Sequence, residues 1–323
     1  MSRFRTGVVI GKFYPPHQGH HYLINTALAR CDRVAVLVCW KPEQTVPIDV
    51  RVACLREEHP TAEIIAVADR LADDDTPGWA AETIRILGYA PEAVFTSEAY
   101  GDPYAAAMGS VHVSVDPGRM TVPCSGTLVR SRPLAHLDCL APAMRAYYVP
   151  RVCVLGAEST GTTTLARALA AHYATAWVPE YGREYCAEKW RQGYDDAWTT
   201  EEFVHIAAEQ SRREDAAARG ANRVLICDTD AFATGLWHER YLGVVSPAVA
   251  AIAAPRRYAL TLLTGDEIPF VQDGLRDGEQ IRHAMHDRFV EMLTASGRRW
   301  ALLRGPHAAR LARAIALIDA LVG

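Results

Sequence analysis

Two histidines three positions apart, His17 and His20, close the stretch GKFYPPHQGH at residues 11–20. A short apolar run precedes the stretch and a helical pattern follows it, so both imidazoles fall at a strand-to-helix junction. A helix start offers unpaired N–H groups and the positive end of its dipole, which favours phosphate. Imidazole N–H groups placed there can stabilise the charged, five-coordinate phosphorus of a phosphate transfer. An isolated H-x-G-H is as well explained by two hydrogen-bonded loop histidines; the preceding strand and Gly11-x-Phe13 give it weight. A second element carries matching chemistry. In CSGTLVRSRP, residues 124–133, Ser125 and Thr127 precede an apolar step and Arg130. Ser and Thr cap helix starts and bind phosphate, and an Arg one turn on can clamp phosphate oxygens with two hydrogen bonds.

A third element lies further along, in GAESTGTTTL at residues 156–165. It follows the pattern G-x-x-x-x-G-K-[ST], in which the backbone cradles phosphates and the Lys reaches the terminal ones. Gly156 and Gly161 are correctly spaced, and Thr163 stands where a hydroxyl would meet Mg2+. The Lys position holds Thr162. One charge-assisted contact of that kind contributes about 2–4 kcal/mol in the transition state, a rate factor of roughly 30 to 1,000. Another cation must therefore enter if the loop supports transfer; Arg183, Arg276 and Arg282 are the candidates. Asp228 ends an apolar run, where an acid can hold Mg2+. Glu180 ends another and can accept a hydroxyl proton, with Asp230 as its rival. The polar, Gly-containing QDGLRDGE at 272–279 has the composition of a lid that would bring Arg276 over the phosphates.

The chain of 323 residues has a net charge of -4, which argues against a nucleic-acid partner. Lys occurs only at 12, 41 and 189, leaving Arg to supply nearly all basic charge. No apolar run approaches a membrane span or a signal sequence, so a cytoplasmic protein without a membrane partner is expected. Eight Cys without regular spacing read as buried thiols in a reducing compartment rather than as disulfides or zinc ligands. A homo-oligomer is compatible with the sequence.

Two series of elements must position these groups. Apolar runs at 7–13, 33–40, 62–69, 93–98 and 111–116 alternate with helical patterns at 21–30, 50–58 and 79–87. After a connector at 140–150, a second series of strands is expected at 151–157, 176–180, 223–230, 257–265 and 299–305. Helices are expected at 162–172, 201–219, 279–296 and 306–321. Continuous apolar strands alternating with helices predict α/β architecture with parallel sheets covered on both faces. The division is placed between a domain at 1–148 and a domain at 149–323.

The pairing of H-x-G-H with S-x-T-x-x-R resembles the nucleotidyltransferase superfamily. That resemblance implies a Rossmann-like first domain in which His17 and His20 act on the α-phosphate of ATP. It implies that Ser125, Thr127 and Arg130 hold the outer phosphates, with Gly11, Lys12 and Phe13 completing the ATP site. The segments DDDTPGWAAETIRIL (73–87) and TSEAYGDPYAAAMG (96–109) look like the nicotinamide mononucleotide adenylyltransferase half of NadR-type proteins. The likeness implies that Trp79 stacks on the nicotinamide ring, a position equally suited to a packing residue. Tyr100 and Asp102 are the further nucleotide contacts it suggests. YGREY (181–185), CDTDAFATGLWHERYLG (227–243) and LLTGDEIPFVQDGLRDGE (262–279) resemble the ribosylnicotinamide kinase half of the same family. The implied ATP site of that P-loop kinase domain comprises Gly156, Glu158, Ser159, Thr160, Gly161, Thr162, Thr163, Thr164 and Arg276. Thr163 and Asp228 would hold Mg2+, and Tyr181 and Trp237 are the candidates to stack on the substrate ring. Relatives often carry an N-terminal helix-turn-helix; with a strand beginning by residue 8, none is expected here.

The resemblance implies a bifunctional NAD salvage enzyme with four small-molecule partners: ATP, ribosylnicotinamide, nicotinamide mononucleotide and NAD. A rival reading keeps the adenylyltransferase but makes the second domain a nucleotide sensor that binds without phosphorylating; Thr162 is the residue that separates the two. Another acceptor, such as pantetheine phosphate or a glycerol or choline phosphate, fits the Trp79 region and the fused second domain less well.

Overall fold

The computed structural model describes residues 3–193, 197–272 and 279–323. The chain divides into two compact units, Met1–Tyr147 and Tyr148–Gly323.

The first unit runs β1 (Phe4–Gly11), α1 (Gln18–Arg30), β2 (Cys31–Trp40), α2 (Ile48–Glu58), β3 (Glu63–Ala68), α3 (Thr76–Leu87), β4 (Ala93–Thr96), α4 (Gly101–Met108), β5 (Val111–Ser114), α5 (Gly126–Ser131) and α6 (Pro142–Tyr148). Its five strands are all parallel, in the order β3-β2-β1-β4-β5. Six consecutive residues of β2, Val34 to Cys39, are buried because helices cover both sheet faces. Side chains alternate between those faces. Val9, Val36 and Phe95 join one apolar cluster with Ile24 and Leu55. Their neighbours Val8, Leu37 and Val94 join the other, with Tyr104 and Ala105. Each such side chain contributes about 1.5–3 kcal/mol on full burial. β1 has β2 on one side and β4 on the other, which makes its C-terminal end the switch point where open α/β sheets bind ligands.

The second unit runs β6 (Arg151–Leu155), α7 (Thr162–His172), β7 (Trp177–Val178), α8 (Tyr181–Arg191), α9 (Thr200–Ala218), β8 (Leu225–Asp228), α10 (Ala231–Leu242), α11 (Pro247–Ala253), β9 (Leu260–Thr264), α12 (Glu279–Ala295), β10 (Trp300–Leu303) and α13 (His307–Val322). This sheet is also wholly parallel, in the order β10-β9-β6-β8-β7, with β6 at its centre. Every residue of β8 and β9 is buried.

Several local expectations change. β7 keeps two residues instead of five, since Pro179 has no N–H to extend a ladder and Glu180 already caps α8. The connector at 140–150 contains α6. Cys124 and Cys139 form a disulfide with Cα atoms 5.9 Å apart, contrary to the expectation of thiols throughout. The turns between them, Pro133–Ala135 and Leu137–Cys139, fold the chain back so that residues fifteen apart meet. The other six cysteines are thiols, five of them buried. Among the described residues no helix is long and apolar enough to cross a membrane.

Candidate active sites

A cavity of about 500 Å3 opens at the C-terminal end of β1. His17 is the N-cap of α1, and its Nδ1 accepts the Gly19 N–H at 3.1 Å. His20 Nδ1 accepts the His17 N–H at 3.3 Å, which closes a reciprocal capping box. The rings stack with centroids 3.7 Å apart. Because a backbone N–H occupies each Nδ1, the ring proton of each neutral imidazole sits on Nε2. Desolvation lowers the His17 pKa to about 4, helped by the nearby positive charges of Arg119 and Arg130. Burial, His17, His21 and Arg119 hold His20 well below its ordinary value. At neutral pH the pair is thus uncharged, with two Nε2–H donors for phosphate oxygens.

The cation set of this cavity is Lys12, Arg119 and Arg130. Arg130 Nη1 donates to the Tyr14 carbonyl at 2.5 Å, and Nη2 to Thr127 Oγ1 at 3.2 Å, while the guanidinium lies over the Tyr14 ring. A Cβ at position 126 would lie 2.7 Å from the Tyr14 carbonyl, so only Gly126 lets α5 approach this loop. Ser125 caps α5 by accepting the Leu128 N–H at 3.2 Å. Lys12 pairs with Asp73 at 2.9 Å, and that contact lowers the Asp73 pKa. Gly11 and Phe13 line the cavity, and Phe13 packs against the His20 ring. Trp79 and Tyr100 line it too; Trp79 donates to the Ala72 carbonyl and Tyr100 to the Ile10 carbonyl.

A second cavity, of about 200 Å3, lies over the loop between β6 and α7. Gly161 caps α7 at φ +84, and a Cβ at position 156 would collide with Thr264 Oγ1 at 2.1 Å. Those two glycines let the loop turn tightly against β9. Asp228, at the end of β8, is 1% exposed and faces this loop. Burial raises its pKa to about 6, while hydrogen bonds from Thr163 and Thr162 and the charge of Arg183 pull the other way. Its Oδ2 has no hydrogen-bond partner. The next residue, Thr229, holds φ +74, a strained conformation for a β-branched side chain at the cavity wall. Arg183, in the first turn of α8, is the one Lys or Arg among the described residues lining this cavity.

A family model described as an AAA domain matches residues 151–310. The trifunctional NAD biosynthesis/regulator protein NadR of Salmonella typhimurium LT2 is 28% identical over 349 residues, covering 98% of this chain and 83% of the relative. The protein of the same description from Escherichia coli K12 is 30% identical over 318 residues, covering 89% of this chain and 76% of the relative. The chain belongs to the NadR family. In fold, it is similar to a crystallised NadR protein in complex with NAD and AMP-PNP, with a TM-score of 0.80, 20% identity, and coverage of 100% of this chain and 98% of that one. A NadR protein in complex with NR matches at a TM-score of 0.79 and 21% identity, over 100% and 97% of the two chains.

Within this NadR-family chain several candidates fall elsewhere than expected. Asp102 is turned away from the first cavity onto His112 Nδ1, at 2.7 Å. Asp230 is fully buried: Oδ1 accepts the Ala233 N–H as the cap of α10, and Oδ2 accepts Arg298 at 2.6 Å. With both oxygens committed and no cavity contact, it is a structural carboxylate and not a base. Glu180 does line the cavity. Tyr181 points instead to His205 and lies under the Arg213 guanidinium. The Thr160 hydroxyl bonds the Ala157 carbonyl and Thr264 behind the loop, so it does not line the cavity that Glu158, Ser159, Thr162, Thr163 and Thr164 do. Arg282 is buried and bonded to the Ile268 carbonyl at 2.9 Å, outside the cavity. Arg276 lies outside the described residues.

Other residues at the two cavities escape sequence reasoning. Asp69 and Arg119 line the first cavity from loops with no motif of their own, and Asp73, the first residue of the 73–87 segment, joins them there. Trp198, Phe203 and Tyr241 join Trp237 at the second, with Trp198 and Tyr241 centroids 5.5 Å apart. Arg310 braces the phosphate loop from α13. It donates to the carbonyls of Thr160 at 2.8 Å, Gly265 at 3.0 Å and Gly305 at 2.8 Å, and to Glu267 at 2.8 Å. An i, i+3 amphipathic pattern would have placed several of these aromatics in a core; nothing local marks Arg310.

Proposed function

We propose that the first unit makes NAD by adenylyl transfer from ATP to nicotinamide mononucleotide, and that the second makes that mononucleotide by phosphorylating ribosylnicotinamide. Membership of the NadR family supports both steps, and the complexes of its structural relatives with NAD, AMP-PNP and NR match the ligands required. The observation that carries the first step is the neutral histidine pair with both Nδ1 atoms tied to backbone.

In adenylyl transfer a mononucleotide phosphate oxygen attacks the α-phosphorus of ATP in line. The bond from that phosphorus to the bridging oxygen breaks, and pyrophosphate leaves. No protein nucleophile is needed: the residues position and neutralise. The Nε2–H groups of His17 and His20 donate to the α-phosphate oxygens as charge builds there. Lys12, Arg119 and Arg130, with the Ser125 and Thr127 hydroxyls, hold the outer phosphates. Trp79 and Tyr100 receive the nicotinamide nucleotide.

In the kinase step the ribose 5′-hydroxyl attacks the γ-phosphorus, its proton passes to Glu180, and ADP leaves with the bridging oxygen. Thr163 and Asp228 would hold Mg2+, since both offer oxygen donors at the cavity and Asp228 Oδ2 is a buried atom with no hydrogen-bond partner. When bound, the ion neutralises charge on the outer phosphates. Arg183 supplies the positive charge that the loop lacks at Thr162. The wall of Trp198, Phe203, Trp237 and Tyr241 suits a cationic pyridinium ring through cation–π attraction.

The test is product analysis on the purified chain with Mg-ATP. Nicotinamide mononucleotide should yield NAD and pyrophosphate, and ribosylnicotinamide should yield the mononucleotide and then NAD. Binding of ATP to the second unit without consumption of ribosylnicotinamide would instead favour a nucleotide sensor.

A further inference from the structure

Cys124 and Cys139 are joined by a disulfide, while the other six cysteines are thiols and five of those are buried. One bond among so many thiols is not the framework of a disulfide-stapled fold. Its place in the first unit is specific. Cys124 lines the first cavity and directly precedes Ser125, the cap of α5. The Cys124 carbonyl lies beside the start of α1, where a Cβ at position 19 would come within 3.6 Å of it. Cys124 thus stands between the two elements that carry the histidine pair and the hydroxyls of this cavity. Cys139 holds the other end of the bond, in the turn Leu137–Cys139, where both of those residues are buried. Arg145 of α6 ties that turn down by donating to the Leu137 carbonyl at 3.1 Å.

α5 needs such an anchor. It has six residues, fewer than the ~12–15 that keep an isolated helix formed in water. Val129 is its one buried residue, so apolar packing holds it weakly. Its other ties, from Arg130 to the Tyr14 carbonyl and to Thr127, are made at the cavity itself. The disulfide joins this helix start to a turn fixed by α6. A covalent cross-link removes conformations that the open chain would sample, and here it closes a separation of 15 residues.

We propose that the Cys124–Cys139 bond is a redox-controlled latch on ATP binding by the first unit. Closed, it holds Ser125, Thr127 and Arg130 in place; opened by a dithiol, it lets α5 move off the phosphates. The inference rests on the adenylyl-transfer reading of that unit. Opening is thiol–disulfide exchange. One thiolate of the dithiol enters through the cavity and attacks Cys124 Sγ. A mixed disulfide forms there as the bond to Cys139 breaks, and Cys139 leaves as a thiolate. The second thiol of the reductant then attacks its partner sulfur and releases Cys124. The dithiol is oxidised to a cyclic disulfide by two electrons, and its two protons pass to Cys124 and Cys139. A triphosphate held against Ser125 covers the same approach, so bound ATP shields the latch.

The experiment uses the full chain purified in air without reductant. Iodoacetamide added to the denatured chain should alkylate the six thiols and spare Cys124 and Cys139, as peptide masses report; alkylation at every cysteine would overturn the proposal. Dithiothreitol should then raise the KM for ATP in NAD formation about tenfold, the loss expected when α5 is in place about a tenth of the time. Neither kcat at saturating mononucleotide nor ribosylnicotinamide phosphorylation in the same sample should change much. Cys139→Ser should show the higher KM with or without dithiothreitol. A wild-type KM that ignores dithiothreitol, or a Cys139→Ser chain that still responds to it, would overturn the proposal. Saturating ATP should slow the appearance of the two new thiols in the native chain, and an unchanged rate would count against the latch as well. The wild type, read before and after reduction, decides the matter if the variant does not fold. No NAD in either redox state would refute the adenylyl-transfer reading itself, while the alkylation pattern and its protection by ATP would still test the latch.

Discussion

Thr162, at the position that carries lysine in the phosphate-loop pattern, lines the second cavity together with Asp228, the acid that ends the neighbouring strand β8. The loop has kept its shape and lost its cation. Arg183 lines the same cavity from a different helix, and its charge partly offsets the burial that raises the Asp228 pKa.

Arg183→Gln should reduce the turnover of ribosylnicotinamide phosphorylation about a hundredfold, within the range of one preorganised charge contact. Thr162→Lys in the same chain should recover most of that loss. Steady-state kinetics on the single and double variants checks this, and a Thr162→Lys chain that rescues nothing would remove Arg183 from the transition state.

His20→Ala should slow NAD formation about 100- to 1,000-fold, the usual cost of one transition-state donor. The KM for ATP should change little, because Lys12, Arg119 and Arg130 remain. Kinase activity, measured in the same preparation, should be untouched. His17→Ala removes the α1 cap as well, so it should also lower stability by about 1 kcal/mol.

Acid should destabilise the first unit earlier than carboxylate protonation alone would. Burial holds His17 at about 4 and His21 at about 3, both below the ordinary value of 6.5. His21 Nδ1 shares a 2.9 Å hydrogen bond with His59 Nε2 inside the core. Below pH 6.5 the unfolded chain takes up protons that the folded chain refuses. The contribution of these groups is therefore complete above pH 6.5, falls as pH drops toward about 4 and then about 3, and levels off below. Denaturant midpoints of the first unit at pH 7, 6, 5 and 4 should decline across that window.

Arg310→Met should destabilise the second unit by about 2–4 kcal/mol, since it strands the buried Thr160 and Gly265 carbonyls. Any folded fraction should bind ATP more weakly, because the loop loses its brace. Thermal unfolding with and without ATP measures both effects, while NAD formation from added mononucleotide should persist.

Much of this organisation is legible in the chain because it is local. The apolar runs at 33–40 and 151–157 announce buried parallel strands, and the histidine and glycine spacings that follow such runs place both phosphate loops at strand ends. Helices were missed where the segment carries motif residues: α4 and α10 lie inside stretches read for their Asp, Tyr and Trp residues rather than for their period. The cysteines show the same limit, since Cys124 and Cys139 meet only because two short turns fold the chain between them.

By itself, then, the sequence determined the two-sheet architecture, the order of the phosphate loops and the absence of a lysine at position 162. Those features depend on residue type and short spacing, which set backbone conformation. Only the tertiary structure decided which polar side chains face a ligand. Asp228 and Asp230 stand two residues apart in one stretch, yet the first lines the cavity and the second is consumed by Arg298, 68 residues away. Asp69 lines the first cavity with neither oxygen hydrogen-bonded, and Lys41 Nζ stays 3.7 Å away. A polar side chain's role follows from the groups packed around it, and distant parts of the chain supply those groups only once it has folded.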